Sequence, residues 1–153
     1  MSDHGEAFGE HCVIHHGQNL FDEQIHVFGF VAWGNGALSE VQARDLRAHA
    51  AAPTSHLDLL PTLLDLYGVY DSVVLEGHRK ELLGSSLLRP APTAPRALPI
   101  SNCSAGYRCP LNTWGMLGDS HALIAQAWDG DYACMPLLAN ENASAPVSEI
   151  AGK

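Results

Sequence analysis

Five of the chain's nine histidines, His4, His11, His15, His16 and His26, fall within its first 26 residues, and that crowding limits what the start of the fold can be. Asp3, Glu6, Glu10, Asp22 and Glu23 stand among them, and Gly5, Gly9 and Gly17 interrupt the stretch. A segment so polar and so broken by glycine cannot be a buried strand or a core helix. It reads as loop with a short helical turn, held by whatever packs around it. Charged residues also occupy the place where a secretory leader would need an apolar core, so the sequence reads as having no signal peptide.

Composition narrows the classes further. With 153 residues, 46% of them hydrophobic, the chain suits one compact domain or a piece of a larger one. Eight Lys and Arg face 17 Asp and Glu, a formal charge of −9 with no basic cluster, which argues against nucleic acid or an anionic membrane surface as partner. No apolar run approaches the roughly 20 residues that span a bilayer. Cys12, Cys103, Cys109 and Cys134 include no CxxC pair, so the spacing argues against a zinc ribbon. Cys103 and Cys109 enclose a short loop that suits either a local disulfide or two reduced thiols. The sequons at Asn102 and Asn142 are triplets of a kind that arises by chance.

Beyond the polar opening, Val27 to Trp33 (VFGFVAW) is β-branched and aromatic and runs into Gly34-Asn35-Gly36, the pattern of a buried strand ending in a turn. Residues 39–52 read as loop with a short polar helix. The clearest helix is Leu57 to Tyr67. Its stripe of Leu60, Leu63, Leu64 and Tyr67 marks a core face, Asp58 can cap its start, Pro61 is tolerable in its first turn, and Gly68 stops it. His56 reads as a buried, hydrogen-bonded residue at the helix entrance, and Trp114 and Trp128 as packing residues. Pro90, Pro92, Pro95 and Pro99 make an extended linker. Residues 121–127 and 132–138, around Asp129-Gly130-Asp131, read as a hairpin, followed by a small, polar tail. Strand, helix and hairpin together predict an α/β fold whose sheet ends in a small antiparallel C-terminal subsheet.

Asp3-His4-Gly5-Glu6 carries the chemistry. A carboxylate and an imidazole adjacent at a turn can converge on one cation, and an oxygen–nitrogen pair suits Zn²⁺ or Mn²⁺ better than Ca²⁺. The longer pattern Ser2-Asp3-His4-Gly5-Glu6-Ala7-Phe8-Gly9-Glu10-His11, then His16-Gly17 and Asp22-Glu23, resembles the sulfatase family of the alkaline phosphatase superfamily. Ser55-His56-Leu57-Asp58-Leu59-Leu60-Pro61-Thr62-Leu63-Leu64 is similar to that family's S-H-x-D-x-x-P-T-L-L helix, and Leu83 to Leu88 to its G-x-S-L-L segment.

The resemblance implies an alkaline-phosphatase-like mixed sheet flanked by helices. It implies that residues 1–88 are the C-terminal part of a catalytic domain, 89–100 a proline-rich linker, 101–138 the hairpin subdomain and 139–153 a flexible tail. It implies Asp3 and His4 as ligands of one divalent ion, Ca²⁺, Mn²⁺ or Zn²⁺. It also implies His16, thirteen residues after Asp3, as the side chain that meets the ester's oxyanion. Charge develops on the oxygens of a sulfate or phosphate ester as it is cleaved, so a dication and a hydrogen-bond donor stabilise the transition state. Glu6 reads as support for the loop through hydrogen bonds, and His11 as structural.

Three departures matter. The family's Val-Pro before the strand is replaced by Val27-Phe28-Gly29, and its nucleophile motif, C/S-x-P-x-R, is absent from these 153 residues, as is the first aspartate ligand. The expectation is a fragment of a metal-dependent sulfatase-type hydrolase, inactive alone, whose partner is the missing N-terminal half of the same domain. Its substrate would be a small-molecule, glycan or lipid sulfate or phosphate ester. Exposed apolar surface left by the missing half would favour self-association. The same residues also fit a phosphoethanolamine or phosphoglycerol transferase of that superfamily, for which the cysteine-bearing C-terminal segment suits an extracytoplasmic setting. A third reading is a non-enzymatic, histidine-rich metal-binding module.

Overall fold

Alternating burial along the C-terminal strands organises the first of two units, residues 1–30 with 95–153; the second is 31–94. The sequence expectation divides the chain at 89–100 instead. The computed structural model describes residues 1–16, 19–34, 36–102, 113–118, 120–126 and 132–136. The Cys103–Cys109 loop, Trp128, the turn at 129–131 and the tail lie outside them. Cys12 and Cys134 are free, exposed thiols.

In the first unit, strands β1 (Ala7–Phe8) and β2 (Ile14–His15) form a minimal antiparallel pair, and helix α1 (Asp22–Ile25) is a single turn. In the second, α2 (Glu40–Ala48), α3 (Leu59–Leu66) and α4 (Val73–Glu76) follow one another. The chain then returns to the first unit as β3 (Leu98–Ser101), β4 (Thr113–Leu117), β5 (His121–Gln126) and β6 (Tyr132–Pro136), a four-stranded antiparallel sheet in the order β3-β4-β5-β6. The fold is therefore mixed α/β, with helices and small antiparallel sheets.

The expected hairpin is β5–β6, in the register Leu123↔Cys134. Two further strands escaped the sequence reading. β3 begins inside the proline-rich stretch, where Pro99 is tolerated because β3 is an edge strand. On β4, Thr113 and Gly115 are buried, while Trp114 and Met116 lie on the outer face. Gly115 faces Ile124, and a Cβ there would run into the Leu123 carbonyl. Buried Leu98, Ala122 and Ile124 line the inner face, and Ile124 packs with Leu20 against Phe21, Ile25 and Ile100. The Asn102 amide donates to the Asn19 carbonyl at 3.0 Å. Sheet and core thus hold the segment that leads into α1.

The second unit turns on polar contacts. α2 opens with a capping box: Gln42 N–H donates to Ser39 Oγ at 3.2 Å, and Ser39 N–H to Gln42 Oε1 at 2.9 Å. The short polar helix expected within residues 39–52 is thus present as α2. α3 follows a 3₁₀ turn (His56–Asp58) with a second such box, so Ser55 and not Asp58 caps the start. Asp58, wholly buried, instead accepts from Ser55 N–H at 2.9 Å and Ser85 N–H at 2.7 Å. Gly68, at φ 71°, ends the helix as expected.

Three sequence expectations fail. The leucine stripe of α3 is not core: Leu60, Leu63 and Tyr67 are 55%, 49% and 77% exposed, and Leu64 is half-buried. The side of the helix that packs is the polar one. Thr62 Oγ1 accepts from Leu87 N–H at 2.9 Å, and Asp65 accepts from Ser86 Oγ at 2.7 Å and from Arg89 Nε at 2.8 Å. Arg89 also lies over the Tyr70 ring at 4.3 Å. This network fixes residues 84–89 along Asp58, Thr62 and Asp65, so the apolar stripe faces outward. His56 is likewise exposed rather than buried. The third failure is Val27 to Trp33, which forms no strand; Phe28, Phe30 and Val31 are exposed. A buried strand needs a continuous ladder, and this run has the single bond from Ser2 N–H to the Phe28 carbonyl in place of one.

Candidate metal centre

The β1–β2 register builds the site. Pairing Ala7 with His15 sets Glu6 and His16, the next residue out on each strand, beside one another. The connection between the strands is tight. Gly9 takes φ 125°, and His11 (51°), Cys12 (59°) and His15 (75°) are left-handed non-glycine residues. Such conformations persist where surrounding contacts over-determine them, and they cluster at functional sites.

The segment before the hairpin is moored to the α1 segment. Ser2 N–H donates to the Phe28 carbonyl at 3.0 Å, and Gly5 N–H to the Gln24 carbonyl at 2.9 Å. A Cβ on Gly5 would collide with the Glu23 carbonyl, so glycine is required at this crossing. His11 closes the other side. Its Nδ1 lies 3.1 Å from Glu23 Oε1, and its ring stacks on Phe21 at 4.1 Å. The residue read as structural thus ties the hairpin tip to α1.

Four titratable side chains meet at the base of the hairpin. His4 Nδ1 donates to the Gly5 carbonyl at 2.8 Å, which leaves the lone pair of the neutral ring on Nε2. That Nε2 lies 3.8 Å from Asp3 Oδ2. Asp3 is in water, and its carboxyl is held below its ordinary value by its own backbone N–H and then by the neighbouring His4. His16 Nδ1 donates to Glu6 Oε2 at 2.8 Å, and the His16 ring sits 4.0 Å from that of His4. One ligand atom each from His4, Glu6 and His16 lies within 4.8 Å of the others. His15 stands further out, its Nδ1 3.8 Å from Glu6 Oε1.

The structure therefore brings His4 and His16 together across the hairpin, with Asp3 at the edge of the group. It adds Glu6, which the sequence reading kept as loop support. The available signal was the pair of positions flanking a glycine-broken stretch, Glu6 and His16, but without the strand register nothing joined them.

The family model for sulfatases matches residues 1–69. The resemblance carried by Ser2 to His11 and by Ser55 to Leu64 is thus a sulfatase match over that segment, which includes His4, Glu6 and His16. No curated protein and no solved structure matches the chain. Sulfatases as a family use a divalent metal, and the donors at this site suit one. Glu6 Oε1 is buried with no hydrogen-bond partner, an arrangement that a cation would relieve.

Proposed function

We propose that the chain supplies the cation-binding part of a sulfatase-type hydrolase that cleaves sulfate esters. The observation that supports it most is the convergence of His4, Glu6 and His16, with Asp3 beside them, inside the sulfatase-matched segment. In this reading Asp3 and His4 hold the divalent ion, and the segment takes its place in an alkaline-phosphatase-like sheet. The ion, when bound, supplies a positive centre for the charge that develops on the ester oxygens. His16, held by Glu6, donates to the oxyanion, and Gly5 allows the close crossing that brings the donors together. The nucleophile belongs to sequence outside these 153 residues, since no C/S-x-P-x-R motif occurs among them.

The test is hydrolysis of 4-nitrophenyl sulfate by the product of the full reading frame that contains this chain. Turnover is expected, with Asp3→Asn and His16→Gln each lowering kcat/KM by on the order of 10²–10³, the usual cost of one stabilising group. Full activity in Asp3→Asn would remove the assigned ligand. Failure on every sulfate ester, with transfer of a phosphoethanolamine or phosphoglycerol group instead, would replace hydrolysis by the transferase reading.

A further inference from the structure

We propose that His11 is a positioning residue for the cleavage step: acting through Glu23 and Phe21, it fixes the β1–β2 hairpin against α1 so that His16 stands beside His4. The proposal rests on the hydrolase reading above and adds to it the contact that sets the place of the oxyanion donor.

The hairpin cannot hold that place by itself. β1 and β2 have two residues each, and even a longer isolated hairpin is marginally stable in water. On the His4 side, the chain is tied to α1 by the bond from Gly5 N–H to the Gln24 carbonyl. His16 follows the returning strand, whose link to α1 is made at the tip. There the His11 Nδ1–H donates to Glu23 Oε1 at 3.1 Å, and the imidazole stacks on the Phe21 ring at 4.1 Å with the planes 16° apart. Phe21 packs in turn on Leu20 and Ile124, so the latch is anchored in the core of the same unit. Residues 21–24 thus grip the chain at both ends of β1, and the two grips together set His16 against His4.

The backbone shows what the contact overcomes. His11 is left-handed at φ 51° and ψ 26°, a conformation that strains a side chain and leaves glycine relaxed. The imidazole is held there all the same, and the side chains of His11 and Glu23 are 30% and 14% exposed, so water competes for this pair less than for a surface ion pair. Cys12, left-handed at φ 59° in the same turn, carries an exposed, free thiol and supplies the comparison.

Hydrolysis of 4-nitrophenyl sulfate by the product of the full reading frame, and nuclear Overhauser contacts in the 153-residue chain, test this. His11→Gly removes the latch while relaxing the turn. It should lower kcat about 10²-fold, the cost of a misplacement of about 1 Å, with KM unchanged. In a His16→Gln background the same substitution should cost little more, because the latch acts through His16; loss of folded protein would cost as much in either background. Cys12→Gly should leave kcat unchanged. In the chain itself, the contact between the ring protons of His4 and His16 should be lost in His11→Gly and kept in Cys12→Gly. Undiminished kcat in His11→Gly, an equal cost in both backgrounds, or a retained ring contact would each overturn the proposal. No turnover of any sulfate ester by the unsubstituted enzyme would overturn the hydrolase reading instead, with the ring contact still deciding whether His11 places His16.

Discussion

The imidazoles of His4 and His16 lie with ring centroids 4.0 Å apart and planes tilted by 32°, His16 set by the pairing of Ala7 with His15 and His4 beside the Gly5–Gln24 hydrogen bond. Two rings that would repel if both were protonated are thus held at contact distance beside a carboxylate. The arrangement depends on contacts that reach back through α1 to the C-terminal sheet, and the predictions follow that route.

Gly5→Ala should damage the site without touching a donor. The new methyl group meets the Glu23 carbonyl, so the strand must move off α1. Overpacking of this kind costs about 1–3 kcal/mol. Thermal unfolding should register the loss, and Zn²⁺ titration a weakened affinity, while a substitution at open Gly34 changes neither.

Ile124→Ala should act from further away. Ile124 is buried with Leu20 against Phe21 and Ile25, the residues that lead into and close α1. Removing a core side chain of this size costs about 2–5 kcal/mol. Urea denaturation should show that loss. Hydrogen exchange at Gly5, whose amide donates to the Gln24 carbonyl, should accelerate with it.

Asp58→Ala should be among the most destabilising changes in the second unit. It leaves the amides of Ser55 and Ser85 without their acceptor. An unsatisfied buried donor costs about 1–3 kcal/mol. A lower urea midpoint, with faster amide exchange at Ser85, is the expected result; an unchanged midpoint would show that water replaces the carboxylate.

Acid should loosen the same unit through Asp65. Hydrogen bonds from the Arg89 guanidinium, and then from the Ser86 hydroxyl, hold this carboxyl below its ordinary value. A carboxyl with a depressed folded pKa contributes stability that is present above the unfolded value, about 3.9, and is lost as pH falls through the folded one. Denaturation midpoints measured from pH 6 to pH 2 should therefore fall, and Asp65→Asn should flatten that fall while lowering stability at pH 6.

Much of the local structure was legible in the residues. Gly68 ended the helix, Pro61 sat in its first turn, and residues 121–126 and 132–136 paired as a hairpin. Each depends on a few neighbouring residues. The errors came where one face of an element had to choose a partner. Leu60, Leu63 and Tyr67 share a helix face with core periodicity, yet Asp58, Thr62 and Asp65 on the other face found Ser85, Leu87 and Arg89 and took the inside. Val27 to Trp33 has strand composition, but a strand exists only with a ladder partner.

The sequence by itself determined which chemistry gathers near the N-terminus: Asp3, His4 and His16, in a pattern that matches sulfatases over residues 1–69. Only the tertiary structure decided that Glu6 joins His4 and His16 while Asp3 stands at the edge of the group. Residue type and spacing report what a side chain can donate. Which donors reach one point depends on strand register and on the glycine crossing at α1, and those are settled by pairing and packing across the chain.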